Sequence, residues 1–168
     1  KKAEAKYASG KRTRALEGLP IGIKDENLIK GKPTSSGSLI MKDFVADRTS
    51  VGNERILRAG GIVHARTATP EFSSAGYTNS RLWGVTRNPW NPEFTPGGSS
   101  GGTAASLAAG TSAIATGSDI GGSIRIPAGT CGLVGYKPPY GRNSDDPPFN
   151  LDFYCHTGPL ARNVSDAI

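Results

Sequence analysis

Two glycine-rich segments, one on each side of an alanine-rich run, constrain this chain more than any other feature. The first covers residues 96–102 (PGGSSGG) and the second covers residues 117–127 (GSDIGGSIRIP). Each segment contains a prominent serine, Ser99 or Ser123, and these lie 24 residues apart. Glycine has no Cβ, so the backbone amides around each serine can approach a ligand closely. We interpret the two segments as parts of one composite active site, separated in sequence by a buried helix and strand.

The remaining pattern alternates helices with short apolar strands, which predicts an α/β sheet with helices on its faces. The last predicted helix has only begun where the sequence stops, so we expect residues 1–168 to form one partial domain. The predicted helices cover residues 1–9, 50–58 and 103–109 and begin again at Ser123 and near Asn163; the predicted strands cover 19–25, 62–65 and 112–116, and residues 70–95 are expected to be irregular.

The composition argues against several classes of function. The formal net charge is +6, but its only dense cluster is six basic residues in the first 14 positions, and the remainder is close to balanced. This pattern favours a solvated terminal face over a nucleic-acid site. No apolar run approaches the roughly 18 residues that a membrane span needs. Cys131 and Cys155 are too few for a disulfide framework or a zinc site, so we expect a reduced, cytoplasmic protein without metal or cofactor.

One interpretation of the first glycine segment is a nucleophile elbow. Residues 97–101 fit the pattern G-x-S-x-G, and residues 98–102 fit it again with Ser100 at the centre. This chemistry needs a later histidine that follows an acidic residue, and the candidate is His156, which follows three aspartates in a proline-rich loop. The other histidine, His64, lies in an apolar strand and is predicted to be a hydrogen-bonded core residue.

The alternative is a serine nucleophile with a lysine base. A lysine can accept a proton only when it is neutral, which requires desolvation or a neighbouring positive charge. Lys24 is the best-placed lysine because it ends the apolar strand 19–23. The simpler interpretation of Lys24 is a lysine at a strand edge with its ammonium in water, and these residues alone leave both interpretations open.

Six segments resemble the amidase signature family, and they occur in the family's order along nearly the whole chain. The family's spacing is also kept, with 75 residues from Lys24 to Ser99 and 24 from Ser99 to Ser123. Family members continue well beyond 168 residues, so the chain resembles their N-terminal, catalytic part, and the implied fold is a mixed sheet with helices on both faces. The segments are LPIGIKD (19–25), RNPW (87–90), PGGSSGG (96–102), GGSIR (121–125), CGLVGYKP (131–138) and GPLAR (158–162).

The resemblance implies a Ser–cis-Ser–Lys triad that cleaves a carboxamide through an acyl-enzyme. Ser123 would be the nucleophile at a helix start, Ser99 would relay the proton after a cis peptide bond, and neutral Lys24 would be the base. Ser100 would orient either Lys24 or its own loop. Asp119 and Arg125 would form a supporting pair, or Arg125 would merely tie down a loop. The implied oxyanion hole consists of the backbone amides of Ile120, Gly121, Gly122 and Ser123.

The substrate side of the site is less constrained by the sequence. Phe72, Ser73 and Tyr77 are expected to line one wall of the substrate pocket and to favour an apolar or aromatic acyl group. The expected partner is a small-molecule amide, without direct contact to nucleic acid or membrane, and a homodimer is compatible with this. Two alternatives stay open: the glutaminase subunit of a tRNA-dependent amidotransferase for glutamyl-tRNA(Gln) or aspartyl-tRNA(Asn), and a non-catalytic module that binds an anion in its glycine-rich loops.

Overall fold

The computed structural model describes residues 1–147 and 149–168. Single 3₁₀ turns cover Glu71–Ser73 and Phe149–Leu151. The helices and strands in chain order are α1 (Lys2–Ala8), β1 (Pro20–Lys24), α2 (Val51–Arg58), β2 (Ile62–Thr67), β3 (Asn79–Ser80), β4 (Gly84–Val85), α3 (Gly101–Ala108), β5 (Ile114–Asp119), α4 (Arg125–Cys131), β6 (Val134–Gly135), β7 (His156–Ala161) and α5 (Val164–Ala167).

The predicted α/β fold is confirmed, and its main sheet is mixed. The strand order is β2-β1-β5-β7-β6, with β1 parallel to both β2 and β5. Strand β7 runs antiparallel to both β5 and β6. The sequence prediction missed β6 and β7 because β6 has only two residues, while β7 contains Gly158 and Pro159, which weaken a strand pattern.

Strand β1 divides the core between the two faces of this sheet. Ile21 and Ile23 point to one face, where they form a cluster with Ile29 and pack against Ile56 of α2. Burying an isoleucine contributes about 2 kcal/mol, so this face anchors the strand firmly. Side chains alternate along a strand, so Lys24 must point to the opposite face. That face carries the second cluster, formed by Ala104, Leu107, Ala115, Ile124, Ala128, Cys131 and Leu160.

Helix α3 begins at Gly101, two residues earlier than predicted, and its first turn packs against neighbouring segments without space for a side chain. A Cβ on Gly101 would lie 2.2 Å from Thr78 Oγ1, and one on Gly102 would lie 2.3 Å from the Ala68 nitrogen. The second glycine pair of residues 96–102 therefore serves the packing of α3.

Two other predicted boundaries need correction. Helix α4 begins at Arg125, whereas the sequence pattern predicted a start at Ser123. The carboxylate of Asp119 binds backbone amides in this region and holds a turn ahead of the helix. Ser50 precedes α2 as predicted, but its hydroxyl accepts a hydrogen bond from the Leu28 amide and makes no cap bond. The start near Asn163 is confirmed, since its side chain accepts from the Asp166 amide at 2.9 Å.

Part of the basic N-terminal cluster forms internal ion pairs. Lys6 and Arg14 both contact the buried carboxylate of Glu17, at 2.8 and 2.7 Å. Hydrogen bonds from Arg14 and Lys6 hold the pKa of Glu17 well below its usual range. Within the described ranges, no helix combines the length and the apolar character needed to cross a membrane.

Candidate active site

Lys24 is completely buried at the end of β1. Its backbone amide donates to Thr116 Oγ1 on the neighbouring strand β5, which fixes the base of the side chain. The Nζ atom lies 2.6 Å from Ser99 Oγ and 2.8 Å from Ser118 Oγ. The strand-edge lysine in water, which the sequence left open, therefore does not describe Lys24.

Burial lowers the pKa of Lys24 below its ordinary value, because a desolvated ammonium is unfavourable. The carboxylate of Glu26 acts in the opposite direction and raises this pKa, since its Oε1 lies 3.3 Å from Nζ. Burial dominates, so the pKa of Lys24 is lowered overall. A larger fraction of Lys24 is then neutral at a given pH than for a solvated lysine.

Ser99 is buried directly ahead of α3 and follows a cis peptide bond from Gly98. A glycine is needed at position 98, because a Cβ there would lie only 2.6 Å from the backbone nitrogen of Tyr77. The hydroxyl of Ser99 therefore meets Lys24 within a tightly packed backbone.

Ser123 lies half-buried in the turn between β5 and α4, and it lines the same cavity as Ser99. The cavity volume is about 810 Å³. The two glycine-rich segments are joined directly, because the Ser100 amide donates to the Ser123 carbonyl at 3.2 Å. Of the two roles expected for Ser100, its contacts match the one in which it orients its loop. The second hydroxyl beside Lys24 belongs to Ser118.

The predicted pair of Asp119 and Arg125 is present, and Asp119 is fully buried. Nε and one terminal nitrogen of Arg125 both lie 2.9 Å from the carboxylate oxygens. Burial alone would raise the pKa of Asp119, but hydrogen bonds from Arg125 and from three backbone amides outweigh it and lower the pKa. The carboxylate also organises the turn, since it accepts from the amides of Gly122, Ile124 and Arg125.

This turn changes the expected oxyanion hole. The Gly122 amide donates to Asp119 Oδ1 at 2.7 Å, so it does not point into the cavity as expected from the sequence. Ile120 and Ser123 both line the cavity. Gly122 has a φ of +118°, and a Cβ there would come within 2.8 Å of Ile126, so the tight turn itself requires glycine.

The wall expected from Phe72, Ser73 and Tyr77 is present only in part. Phe72 and Ser73 line the cavity, whereas Tyr77 lies outside it with a largely exposed side chain. Phe72 and Ser73 have φ values of 50° and 56°, which are unusual for residues with a side chain and are often found at functional sites. The Ser73 hydroxyl is directed at Glu26.

Both histidines lie in other environments. His64 Nε2 is hydrogen-bonded to Ser112 Oγ at 2.8 Å, as predicted for a core residue. His156 Nε2 is bonded to the Phe153 carbonyl at 2.9 Å, and its ring packs near Tyr140. The partner of the Ser99 hydroxyl is Lys24, so the arrangement differs from that of a histidine-based nucleophile elbow.

Sequence reasoning missed Glu26 and Ser118, the two other polar groups around Lys24. Both line the cavity, and Ser118 comes from β5, 94 residues away from Lys24 in sequence. The position of Glu26 two residues after Lys24 was visible in the sequence. Nothing in the sequence showed that the chain turns there and brings its carboxylate back to the amine. Across the described residues, no cluster of three or more His, Cys, Asp or Glu side chains could hold a metal ion.

On this mixed α/β sheet, Ser99 is hydrogen-bonded to the buried Lys24, and Ser99 and Ser123 line the same cavity. The Amidase family matches residues 1–168, and the chain belongs to this family. This family agrees with the resemblance seen in the sequence.

Related sequences and solved structures extend over nearly the whole chain. The chain is 43% identical to a subunit of the Glutamyl-tRNA(Gln) amidotransferase from Gloeothece citriformis over 171 aligned residues, which cover 99% of this chain and 35% of the relative. It is also similar to a bacterial aryl acylamidase (TM-score 0.91, 34% identity, 99% of this chain, 35% of that one). The peptide amidase of Stenotrophomonas maltophilia is similar as well, with a TM-score of 0.89 and 32% identity. This match covers 99% of the present chain and 35% of the peptide amidase. The chain thus spans about a third of the length of these relatives.

Proposed function

We propose that the protein carrying this chain hydrolyses a carboxamide through a Ser123–Ser99–Lys24 triad and an acyl-enzyme. The observation that carries this proposal is the 2.6 Å contact between Lys24 Nζ and Ser99 Oγ, made by a lysine that is completely buried. Burial favours the neutral amine, which is the form that can accept a proton.

The surroundings of Lys24 suit a neutral amine that acts as a base. A neutral amine has two N–H groups and one lone pair, and Nζ has three polar neighbours: Ser118, Glu26 and Ser99. If the N–H groups donate to Ser118 and Glu26, the lone pair faces the Ser99 hydroxyl. Lys24 can then accept the Ser99 proton while Ser99 accepts the proton of Ser123.

The reaction follows from this relay. Ser123 Oγ attacks the carbonyl carbon as its proton passes to Ser99, and the Ser99 proton passes to Lys24. The relay then returns a proton to the nitrogen of the leaving amine, the C–N bond breaks, and water hydrolyses the resulting ester. The backbone amides of Ile120, Gly121 and Ser123 are the proposed oxyanion donors, since that of Gly122 is occupied by Asp119. Removing one such donor typically costs about 3 kcal/mol of transition-state stabilisation.

The cavity supports a small-molecule amide as the substrate. Phe72 and Ile120 line it and remain about half exposed, which leaves apolar surface free to contact an acyl group. Ser73 and Ser118 add hydroxyl groups on the cavity wall.

A fluorophosphonate probe tests the proposed nucleophile in the protein carrying this chain. We expect the probe to label the parent protein on Ser123, and Ser123→Ala to abolish both labelling and amide turnover. The matched control is Ser9→Ala, which removes an exposed hydroxyl at the end of α1 and should leave both unchanged. Intact-mass and peptide analysis that found the adduct on Ser99 or Ser100 in the Ser123→Ala variant would contradict the assignment. A folded parent protein that is never labelled would favour the anion-binding module.

A second candidate is the glutaminase subunit of a tRNA-dependent amidotransferase. The observation that favours it is the 43% identity to a relative named as a subunit of such an enzyme. The chain superposes on the aryl acylamidase with a TM-score of 0.91 and on the Glutamyl-tRNA(Gln) amidotransferase subunit of Thermotoga maritima with 0.83, so both candidates share its fold. Ammonia release from glutamine and from benzamide separates the two. Turnover of glutamine alone, and only in the presence of other amidotransferase subunits, would identify the glutaminase.

A further inference from the structure

The side chain of Glu26 contacts both the proposed base and the cavity wall, although the triad assigns it no role. Its Oε1 lies 3.3 Å from Lys24 Nζ, and its Oε2 accepts a hydrogen bond from Ser73 Oγ. The carboxylate lines the cavity and is 20% exposed, so it is largely withdrawn from water.

We propose that Glu26 is a positioning residue, held by Ser73, that binds one N–H of Lys24 and thereby directs the amine lone pair toward Ser99. This inference rests on the proposed function, because it assigns Glu26 a role in the same relay. The role is not catalytic in the strict sense, since Glu26 acts on the reaction only through Lys24.

The geometry supports this role because a lysine amine can rotate freely about its last bond. If Ser118 alone held the neutral amine, its lone pair could turn away from Ser99 by rotation. Glu26 Oε1 lies 3.3 Å from Nζ and has no hydrogen-bond partner among the described residues, so it is the acceptor left for the second N–H. Glu26 is in turn fixed by Ser73, whose hydroxyl also bonds Thr69 and whose backbone has the unusual φ of 56°.

The charges around the pair determine the sign of the expected effect. Three groups act to raise the pKa of Lys24: Glu26, Cys155 ahead of β7 and Asp119 at the end of β5. Burial acts to raise the pKa of Glu26, and Lys24 is the charge that lowers it most. The Glu26 charge in turn acts to raise the pKa values of Arg66 on β2 and of Cys155. The Glu26 charge raises the pKa of Lys24 and opposes the effect of burial. Removing this charge must therefore lower the pKa of Lys24 further.

The test compares pH–rate profiles of kcat/KM for the parent protein and for Glu26→Gln, which keeps the shape of the side chain and an acceptor for Ser73. Activity is lost as pH falls through the pKa of Lys24, so the acidic limb should move to lower pH in the variant, by about one unit or more. The plateau rate should fall about ten- to a hundredfold, because the amine is less basic and less well oriented. The matched control is Glu54→Gln on the exposed side of α2, which should leave the limb in place.

Each outcome decides the proposal. An unmoved acidic limb in folded Glu26→Gln would overturn it. A value of kcat/KM for Glu26→Gln that stays constant down to about pH 4 would also overturn it, since Glu26 itself would then be the titrating base in the parent protein. If Glu26→Gln does not fold, Glu26→Asp decides instead, because a carboxylate one methylene shorter is farther from Nζ and should shift the limb in the same direction by less. A parent protein with neither probe labelling nor turnover would refute the proposed function itself, a result distinct from an active parent with an insensitive pH profile.

Discussion

Replacing Asp119 with asparagine tests how the turn that presents Ser123 is held in place. The carboxylate accepts five hydrogen bonds: Oδ1 from Gly122 N and Arg125 Nη2, and Oδ2 from Ile124 N, Arg125 N and Arg125 Nε. An asparagine has one oxygen acceptor, and its NH₂ group would face the donors at the other position. Asp119→Asn therefore loses at least two of the five bonds.

The magnitude follows from the burial of each partner. A hydrogen bond to a charged group contributes about 1.5–3 kcal/mol, and a buried amide left without a partner costs about 1–3 kcal/mol. The Arg125 side chain is 57% exposed and can turn to water, so its share of the loss is small. We expect Asp119→Asn to lower the free energy of unfolding by about 3 kcal/mol in total. A displacement of Ser123 by about 1 Å would also lower kcat/KM about a hundredfold.

Denaturant unfolding and probe-labelling rates measure these two effects in the protein carrying this chain. The pKa of Asp119 is lowered in the folded state. The carboxylate therefore contributes fully to the free energy of unfolding above the ordinary aspartate pKa, and this contribution is lost as pH falls through the pKa of the folded state. The stability difference should thus persist from pH 7 to about pH 4 and shrink below it. The exposed Asp43→Asn is the control and should change stability by less than about 0.5 kcal/mol. An Asp119→Asn variant with parental stability and labelling rate would refute this account of the turn.

Two further predictions test the base and the packing of α3. Lys24→Met should eliminate nearly all turnover while the protein stays folded, whereas His156→Ala should keep substantial turnover if folded; comparable losses would contradict a lysine base. In the parent protein the lowered pKa of Lys24 predicts activity that falls toward acidic pH, and a rate that is flat from about pH 5 to 9 would argue against that base. Gly102→Ala should destabilise the fold by about 2 kcal/mol or more in thermal unfolding, since its Cβ would meet the Ala68 backbone at 2.3 Å. The control is Gly129→Ala on α4, where a Cβ has open space, and it should leave the stability unchanged or raise it. Equal changes in stability for both variants would show that packing does not require glycine at position 102.

Local signals along the chain indicated where the candidate site residues lie, and the family resemblance related them to one another. Glycine clusters around Ser99 and Ser123 and an apolar strand ending in Lys24 are properties of short segments, so they are readable from the chain alone. The strand period also explains why Lys24 faces away from Ile21 and Ile23, because side chains alternate along a strand. The family resemblance then related the three residues to one another across 75 and 24 positions.

Only the tertiary structure decided which groups surround these residues. Ser118 and Ser73 reach the Lys24–Glu26 pair from segments far away in sequence, and no local pattern reports such contacts. The same reason explains the corrected start of α4 and the orientation of the Gly122 amide, since both depend on where the Asp119 carboxylate meets the turn. The sequence alone determined which side chains are available for the chemistry. Burial lowers the pKa of Lys24, and long-range hydrogen bonds to Ser99 and Ser118 fix the position of its amine. Both exist only once the chain has folded.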